Sequence, residues 1–390
     1  MKDFGSFDIF VPTKIVFGAG RVSEVGKLVS GIGKKAFIVT GRRSAKESGL
    51  LDRVVSLLKE AGVESVVFDK IMPNPVSTVV DEGVELIKKE GCDFVVGLGG
   101  GSPIDSAKLM AMTVVSGGSC WDYTNVGGNK RPTGALPVVA IPTTHGTGTE
   151  ADPFAVVTNP DTHEKVGVGF SVIFPRLSLV DPELMLTLPP EQTASTSMDA
   201  FYHAIESYLN VRHQPISDLL ALQAISLIAY YLPGAYRDGE DIKARTALAW
   251  ASTAAGICES LSGCIANHSL EHPLSGFYNI THGVGLCATG PAFLRHIRPH
   301  VKDRLAKVAV AMGVPGIISD VEELSKLAID FVVRLQRSVD LDITLKDIGI
   351  EYADLEMLAE EAMRTMGELV KVTPGNLTVD DLKKIYEESF

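Results

Sequence analysis

Two periodicities divide the chain. Up to about residue 185, short β-branched and apolar runs alternate with segments whose apolar residues recur every three or four positions. KKAFIVTG (34–41) predicts a buried strand ending in glycine, and SGLLDRVVSLLKEAG (48–62) a helix closed by Gly62. VESVVFD (63–69) predicts a strand and TVVDEGVELIKKEG (78–91) a helix. CDFVVGLGGG (92–101) predicts a strand entering a glycine loop, and LPVVAIPTT (136–144) another strand. Such alternation builds a doubly wound parallel sheet, Rossmann-like in plan. After LVDPELMLTLPPEQ (179–192) the strand patterns give way to helical runs such as SDLLALQAISLIAYYL (217–232) and IKARTALAWASTAAGICESL (242–261). The double proline at 189–190 marks a junction. The pattern therefore predicts an α/β domain over 1–185 and an all-helical domain over 186–390, and ligand sites favour such interfaces.

Length supports two domains, because 390 residues exceed one ordinary core. With 45% apolar and 22% charged residues the chain reads as a soluble globular protein. No run approaches ~18 consecutive apolar residues, so no membrane span is expected. The opening MKDFGSFDIF shows no signal-peptide pattern. The five cysteines are odd in number, scattered and free of any C-x-x-C. That argues for a reduced, cytoplasmic protein and against a disulfide framework or a thiolate metal site. A net charge of −12 repels phosphate backbones and anionic membranes, which turns attention to small-molecule ligands.

Three stretches of the first half suggest a nucleotide. GLGGGSPID (97–105) follows a strand and opens a helix. Its glycines let backbone amides approach a phosphate at a helix N-terminus. Ser102 is placed to cap that helix, with Pro103 in its first turn and Asp105 completing a capping box. The loop lacks the third glycine of G-x-G-x-x-G, because Ser102 stands there; a tight strand-to-helix turn is the other reading. IPTTHGTGTE (141–150) offers Thr143, Thr144 and Thr147 at a strand end, which in a doubly wound sheet is the ligand edge; a polar loop is its alternative. In TGRRS (40–44), Gly41 replaces the acid that NAD sites place near the ribose, and Arg42 and Arg43 suit a 2′-phosphate. A solvated surface pair is the competing reading of those arginines.

The second half suggests a metal. In MDAFYHAIESYL (198–209), Asp199 and His203 are four apart and share a helix face. His268 and His272 repeat that spacing, and His282 follows where a new helix can start. One carboxylate with imidazoles suits Fe(II) or Zn(II), although isolated histidines more often serve packing.

These residues together resemble the iron-containing, or group III, alcohol dehydrogenases. The resemblance spans the chain: PTKIVFGAG (12–20), PNP (73–75), GLGGGSPID, PTTHGTGTE (142–150), DAFYHAIE (199–206), EHPLSGFYNITHG (271–283) and TPGNLT (373–378). It implies a dehydroquinate synthase-like plan, with a dinucleotide domain, a helical domain and a site in the cleft between. It implies Asp199, His203, His268 and His282 as metal ligands, with His272 beside the metal as a catalytic non-ligand. For the cofactor it implies Gly99, Gly100, Gly101 and Ser102 on the pyrophosphate, Thr143, Thr144 and Thr147 in the threonine loop, Lys165 near the ribose, and Asn74 of PNP. Gly41, with Arg42 and Arg43, is similar to NADP-preferring members.

The chain also departs from the family pattern. His145 replaces an alanine, Ala151 and Asp152 alter an E-V-T, and Glu259 stands where an aromatic lines the substrate pocket. Asn267 and Glu271 add polarity beside the histidines, so these positions are expected to carry substrate preference; Glu259 facing away from the pocket is the alternative. The implied activity is NADP(H)- and Fe(II)-dependent oxidation of a primary alcohol or reduction of an aldehyde. A Zn(II) polyol (glycerol-type) dehydrogenase and a dehydroquinate synthase-like lyase are the alternatives. A homodimer or larger oligomer is implied as well, with FDIFVPTKIVF (7–17) available for pairing.

Overall fold

The computed structural model describes residues 6–315 and 317–390; residues 1–5, which open the stretch read for a signal peptide, lie outside it. Contacts separate two compact units. Val11–Thr144 with Gly148–Thr187 forms one, and Leu188–Phe390 with His145–Thr147 belongs to the other.

The first unit is built on strands β1 (Lys14–Phe17), β2 (Lys35–Gly41), β3 (Glu64–Ile71), β4 (Phe94–Gly99), β5 (Val138–Pro142), β6 (Phe154–Thr158), β7 (Lys165–Gly169) and β8 (Leu177–Val180). Six of them form one sheet in the order β1-β8-β5-β4-β2-β3, and every pairing in it is parallel. Its helices are α1 (Val25–Val29), α2 (Ser44–Glu47), α3 (Leu50–Glu60), α4 (Ser77–Glu90) and α5 (Gly101–Ser116). Strand alternation sends Phe37 and Val39 of β2 into a core shared with α4 and α5. The intervening Ala36 and Ile38 enter a second core against α1 and α3. Burial on both faces explains why β2 and β4 read as continuous apolar runs. The strand pattern missed the antiparallel pair β6–β7, in which Thr158 lies opposite Lys165, and the four-residue β8. β7 is interrupted by Gly167, and the four residues of β8 carry too few alternations to stand out.

The second unit is helical: α6 (Pro190–Leu209), α7 (Pro215–Arg237), α8 (Ile242–Ser262), α9 (Ala266–Tyr278), α10 (His282–Ala311), α11 (Val321–Arg337), α12 (Leu355–Lys371) and α13 (Val379–Glu388). They enclose a single apolar core that includes Phe201, Ile225, Leu270, Phe293 and Leu358. Among the described residues one helix, α7, is long and apolar enough to cross a membrane, a test that core helices also pass. It packs against α6 and α8, and its Asp218 pairs with Arg304. All five cysteines are buried and free.

Candidate metal centre and nucleotide edge

Three adjacent strands end together in the α/β unit. Thr40 of β2 pairs with Leu98 of β4, and Gly99 with Pro142 of β5. Gly41, the glycine loop and the threonine loop therefore emerge side by side at the carboxyl edge of the sheet, where the strand order reverses. Gly99 has φ +146, and a Cβ there would sit 2.9 Å from Pro103 Cγ, so only glycine fits this turn. Thr143 N donates to Gly99 O at 2.8 Å, and Thr144 lies against Gly100. Thr147 is half-buried and groups with the helical unit.

The expected capping box is absent. α5 begins at Gly101 with extended Gly100 as its N-cap and no side-chain cap, so Ser102 falls inside the first turn. The Asp105 carboxylate instead accepts from Thr149 Oγ1 (2.7 Å) and Val156 N (3.0 Å). The extended Gly100 takes the N-cap place, so the helix starts earlier and its first N–H groups receive no side-chain cap. Beneath them Lys108, fully buried, donates to Thr149 Oγ1, Asp152 Oδ1 and Phe154 O at 2.6–2.9 Å. The altered Asp152 is thus the counter-charge of a buried lysine. Burial pushes the Asp105 carboxyl up to about 6.

Arg42 and Arg43 are exposed just beyond β2. Gly41 has ordinary backbone angles, and a Cβ there meets nothing closer than Ile71 O at 3.8 Å. The fold does not demand glycine at this position, so the absence of an acid there is a chemical feature. Asn74, in a left-handed turn at φ 51, lies one residue before Pro75, whose carbonyl accepts from Thr158 N at 2.8 Å. Thr158 in turn faces Lys165, which is buried.

The helical unit gathers Asp199, His203, His268 and His282 so that one ligand atom of each lies within 4.8 Å of the others. α6 presents Asp199 and His203 one turn apart, α9 presents His268, and His282 opens α10. The loop between α9 and α10 starts at Asn279, left-handed at φ 54. α10 approaches α6 at Gly283, where a Cβ would lie 1.9 Å from Ser195 O. Asp199 Oδ1 stands 3.6 Å from His203 Nδ1, 4.0 Å from His268 Nε2 and 3.5 Å from His282 Nε2. Bonds of about 2.1 Å place neighbouring ligand atoms roughly 3–3.5 Å apart, so a small inward movement closes these atoms on one ion. The donor set, one carboxylate oxygen and three imidazole nitrogens, fits Fe(II) or Zn(II).

Behind this group lie carboxylates that the sequence reading overlooked as partners. His268 Nδ1 donates to Glu206 Oε1 at 2.8 Å, and Glu206 Oε2 accepts from Ile265 N at 2.9 Å. His282 Nδ1 donates to Glu271 Oε2. Each bond leaves the ring's Nε2 for the centre, the arrangement that orients ligand imidazoles. Burial pushes the Glu206 carboxyl up to about 8; a cation held by His268 acts in the opposite sense. The available signal for Glu206 was its position three residues after His203, on a helix buried all round.

His272 stands outside the four-residue group, its ring 5.7 Å from that of His282. Glu259 faces inward: its Oε2 is 3.7 Å from His203 Nε2, and the side chain is 16% exposed. Asn267 and Glu271, expected to bear on substrate preference, are fully buried in the seam between α9 and α10. Asn267 Nδ2 donates to Leu286 O, its Oδ1 accepts from Thr289 Oγ1, and Glu271 accepts from Ser275 Oγ. Their polarity serves helix–helix bonding, because a buried polar group must find partners. His145 is equally committed, between Ser197 Oγ (3.0 Å) and Arg245 Nη1 (2.9 Å).

Residues 12–182 match the model of the iron-containing alcohol dehydrogenases, and residues 193–390 match the C-terminal model of the Fe-containing alcohol dehydrogenase family. Choline dehydrogenase of Bacillus subtilis (strain 168) is 36% identical over 93% of this chain and 90% of its own. NAD-dependent methanol dehydrogenase of Bacillus methanolicus is 35% identical over 98% and 99%. The crystal structure of the archaeal halo-thermophilic Red Sea brine pool alcohol dehydrogenase ADH/D1 bound to NZQ superposes with a TM-score of 0.95, at 36% identity and 99% coverage of both chains. With both of its halves matched and its whole length shared with such relatives, this chain belongs to the iron-containing alcohol dehydrogenase family, oxidoreductases acting on CH–OH donors.

Proposed function

We propose that the chain is an Fe(II)-dependent alcohol dehydrogenase and aldehyde reductase that uses NADP(H) and acts on a primary alcohol or the matching aldehyde. The convergence of Asp199, His203, His268 and His282 carries this reading. When bound, the divalent ion supplies Lewis-acid polarisation of the substrate oxygen, and the nicotinamide supplies or takes the hydride. Asp199 brings the anionic donor, and the three imidazoles bring neutral ones. His272, beside the ligand His282, takes the proton of the substrate hydroxyl at an imidazole nitrogen and returns it in the reductive direction. Gly99 to Ser102 hold the pyrophosphate against the first turn of α5, with Thr143, Thr144, Thr147, Asn74 and Lys165 placing the remainder of the cofactor. Chelation should abolish alcohol oxidation and added Fe(II) should restore it; unchanged activity in metal-free protein defeats the proposal. His268→Ala should lose metal, whereas His272→Ala should keep metal and lose rate by about 10²-fold or more. Full metal retention in both variants overturns the ligand assignment.

NADP is supported by Gly41, where no acid repels a 2′-phosphate, and by the exposed Arg42 and Arg43. Some relatives are named for NAD, so kcat/KM with both cofactors decides; a wild-type preference for NAD refutes this part. The donor set suits Zn(II) too, which is why metal analysis belongs on protein prepared without air. Glu259 turns a carboxylate toward the centre, which supports a polar substrate, and one relative is named for choline, a cationic alcohol. A panel of simple alcohols, diols and cationic alcohols on wild type and Glu259→Phe tests it; identical profiles dismiss a role for Glu259. The same reading places the enzyme in the cytoplasm, where free thiols stay reduced, as a homodimer or larger assembly using the exposed Phe7, Ile9 and Phe10.

A further inference from the structure

The four candidate ligands differ in how they are supported. Asp199 and His203 have side chains 5–7% exposed and project from the interior of α6, and His268, 5% exposed, projects from the first turn of α9. His282 is 24% exposed and is the first residue of α10. His282 combines the greatest exposure of the four with the very first position of a helix, where fraying starts, so it is the weakest point of the group.

Glu271 supplies the aim. It sits on α9, fully buried, with Oε2 accepting from His282 Nδ1 and Oε1 accepting from Ser275 Oγ. Space for it exists because residue 285, one turn into α10, is glycine: a Cβ there would come within 2.9 Å of Glu271 Cγ and 3.0 Å of Oε1. The backbone of Gly285 needs no left-handed angle, so the missing side chain is a matter of room alone. The bond fixes the ring so that Nε2 points at Asp199 Oδ1, 3.5 Å away.

Resting on the metal reading above, we propose that Glu271 is a positioning residue of the metal centre, acting through His282. Seated in the notch left by Gly285, it locks His282 as a ligand and sets how long the ion is retained. Glu206 performs the corresponding task for His268, so two of the three imidazoles are backed by buried carboxylates.

The test is metal affinity and chelator-driven metal loss, measured for Fe(II) without air and for Zn(II), on the full chain. Glu271→Ala should bind either ion about 10–100-fold more weakly and release it correspondingly faster. Glu271→Gln, which keeps an acceptor but no charge, should fall between Glu271→Ala and wild type. Gly285→Ala distinguishes positioning from bulk stability. The added methyl displaces the carboxylate and weakens metal binding; because alanine's helix preference offsets part of the packing cost, the metal-free Tm should fall less than the metal-loaded Tm. The rise in Tm on adding metal should shrink in all three variants, whereas a merely structural role lowers metal-free and metal-loaded Tm alike. Wild type that binds neither ion overturns the metal reading and this inference with it. Wild type that binds metal, with Glu271→Gln and Gly285→Ala within twofold of it, overturns this inference alone.

Discussion

Arg245 and His145 meet where the guanidinium is fully buried and donates to Gly239 O, Thr193 Oγ1, Leu188 O and His145 Nε2. Arginine can only donate, so His145 Nε2 must accept and Nδ1 must carry the proton that goes to Ser197. Burial first, and the Arg245 charge second, push the imidazole down to about 3 from 6.5. The unfolded chain therefore binds a proton below pH 6.5 that the folded chain refuses. This residue's contribution is complete above pH 6.5 and is lost as pH falls toward 3, at no more than about 1.4 kcal/mol per pH unit. Denaturant titrations from pH 7 to 4 should show that loss, and a flatter acid limb in His145→Gln, which keeps an acceptor and a donor without titrating. Gly41 carries a second prediction at this scale. Gly41→Asp fits sterically, since nothing approaches its Cβ within 3.8 Å, and it should lower kcat/KM for NADP relative to NAD by tenfold or more. Residue types were readable along the chain here, but their partners were not: nothing in PTTHGTGTE announces Arg245, a hundred positions away.

Among elements, α5 shows how local rules are overridden. S-P-I-D matched a helix start, yet Gly100 begins the helix sooner and Asp105 turns to Thr149 and Val156. Ser102→Ala should therefore cost less than the ~1 kcal/mol typical of a true cap, read as the change in unfolding free energy. It should still weaken cofactor binding if the first turn holds phosphate. The α6–α10 approach makes the opposite prediction. Gly283→Ala places a methyl on Ser195 O, so the helices must part and carry His282 away from Asp199; metal affinity should drop with little change in far-UV circular dichroism. Helices were legible from periodicity because one stripe of each is buried, and β2 and β4 were legible as continuous apolar runs because both their faces are. β6, β7 and β8 were not: β7 carries a glycine inside it, and β8 spans only four residues.

For the molecule as a whole, all four candidate ligands belong to the helical unit. Metal present at 100 times its Kd should stabilise that unit by about 2.7 kcal/mol. Hydrogen exchange should slow in α6, α9 and the start of α10 on metal addition, with the strands of the α/β unit unchanged; a uniform response contradicts a site confined to one unit. The sequence by itself determined the parallel sheet and the helical half, because burial on both faces leaves a continuous apolar run and burial on one stripe leaves a periodic trace. It also determined which residue types were available for phosphate and metal, through the glycine loop and the Asp–His spacings. Only the tertiary structure decided which atoms meet. Asp199 and His282 are 83 positions apart, and their approach depends on α10 docking onto α6 at a glycine. Glu271, which the chain presents as a neighbour of His272, becomes the partner of His282, because the turn at Asn279 brings the start of α10 back onto α9. Hydrogen bonds act over about 3 Å in space and carry no mark of that distance along a chain.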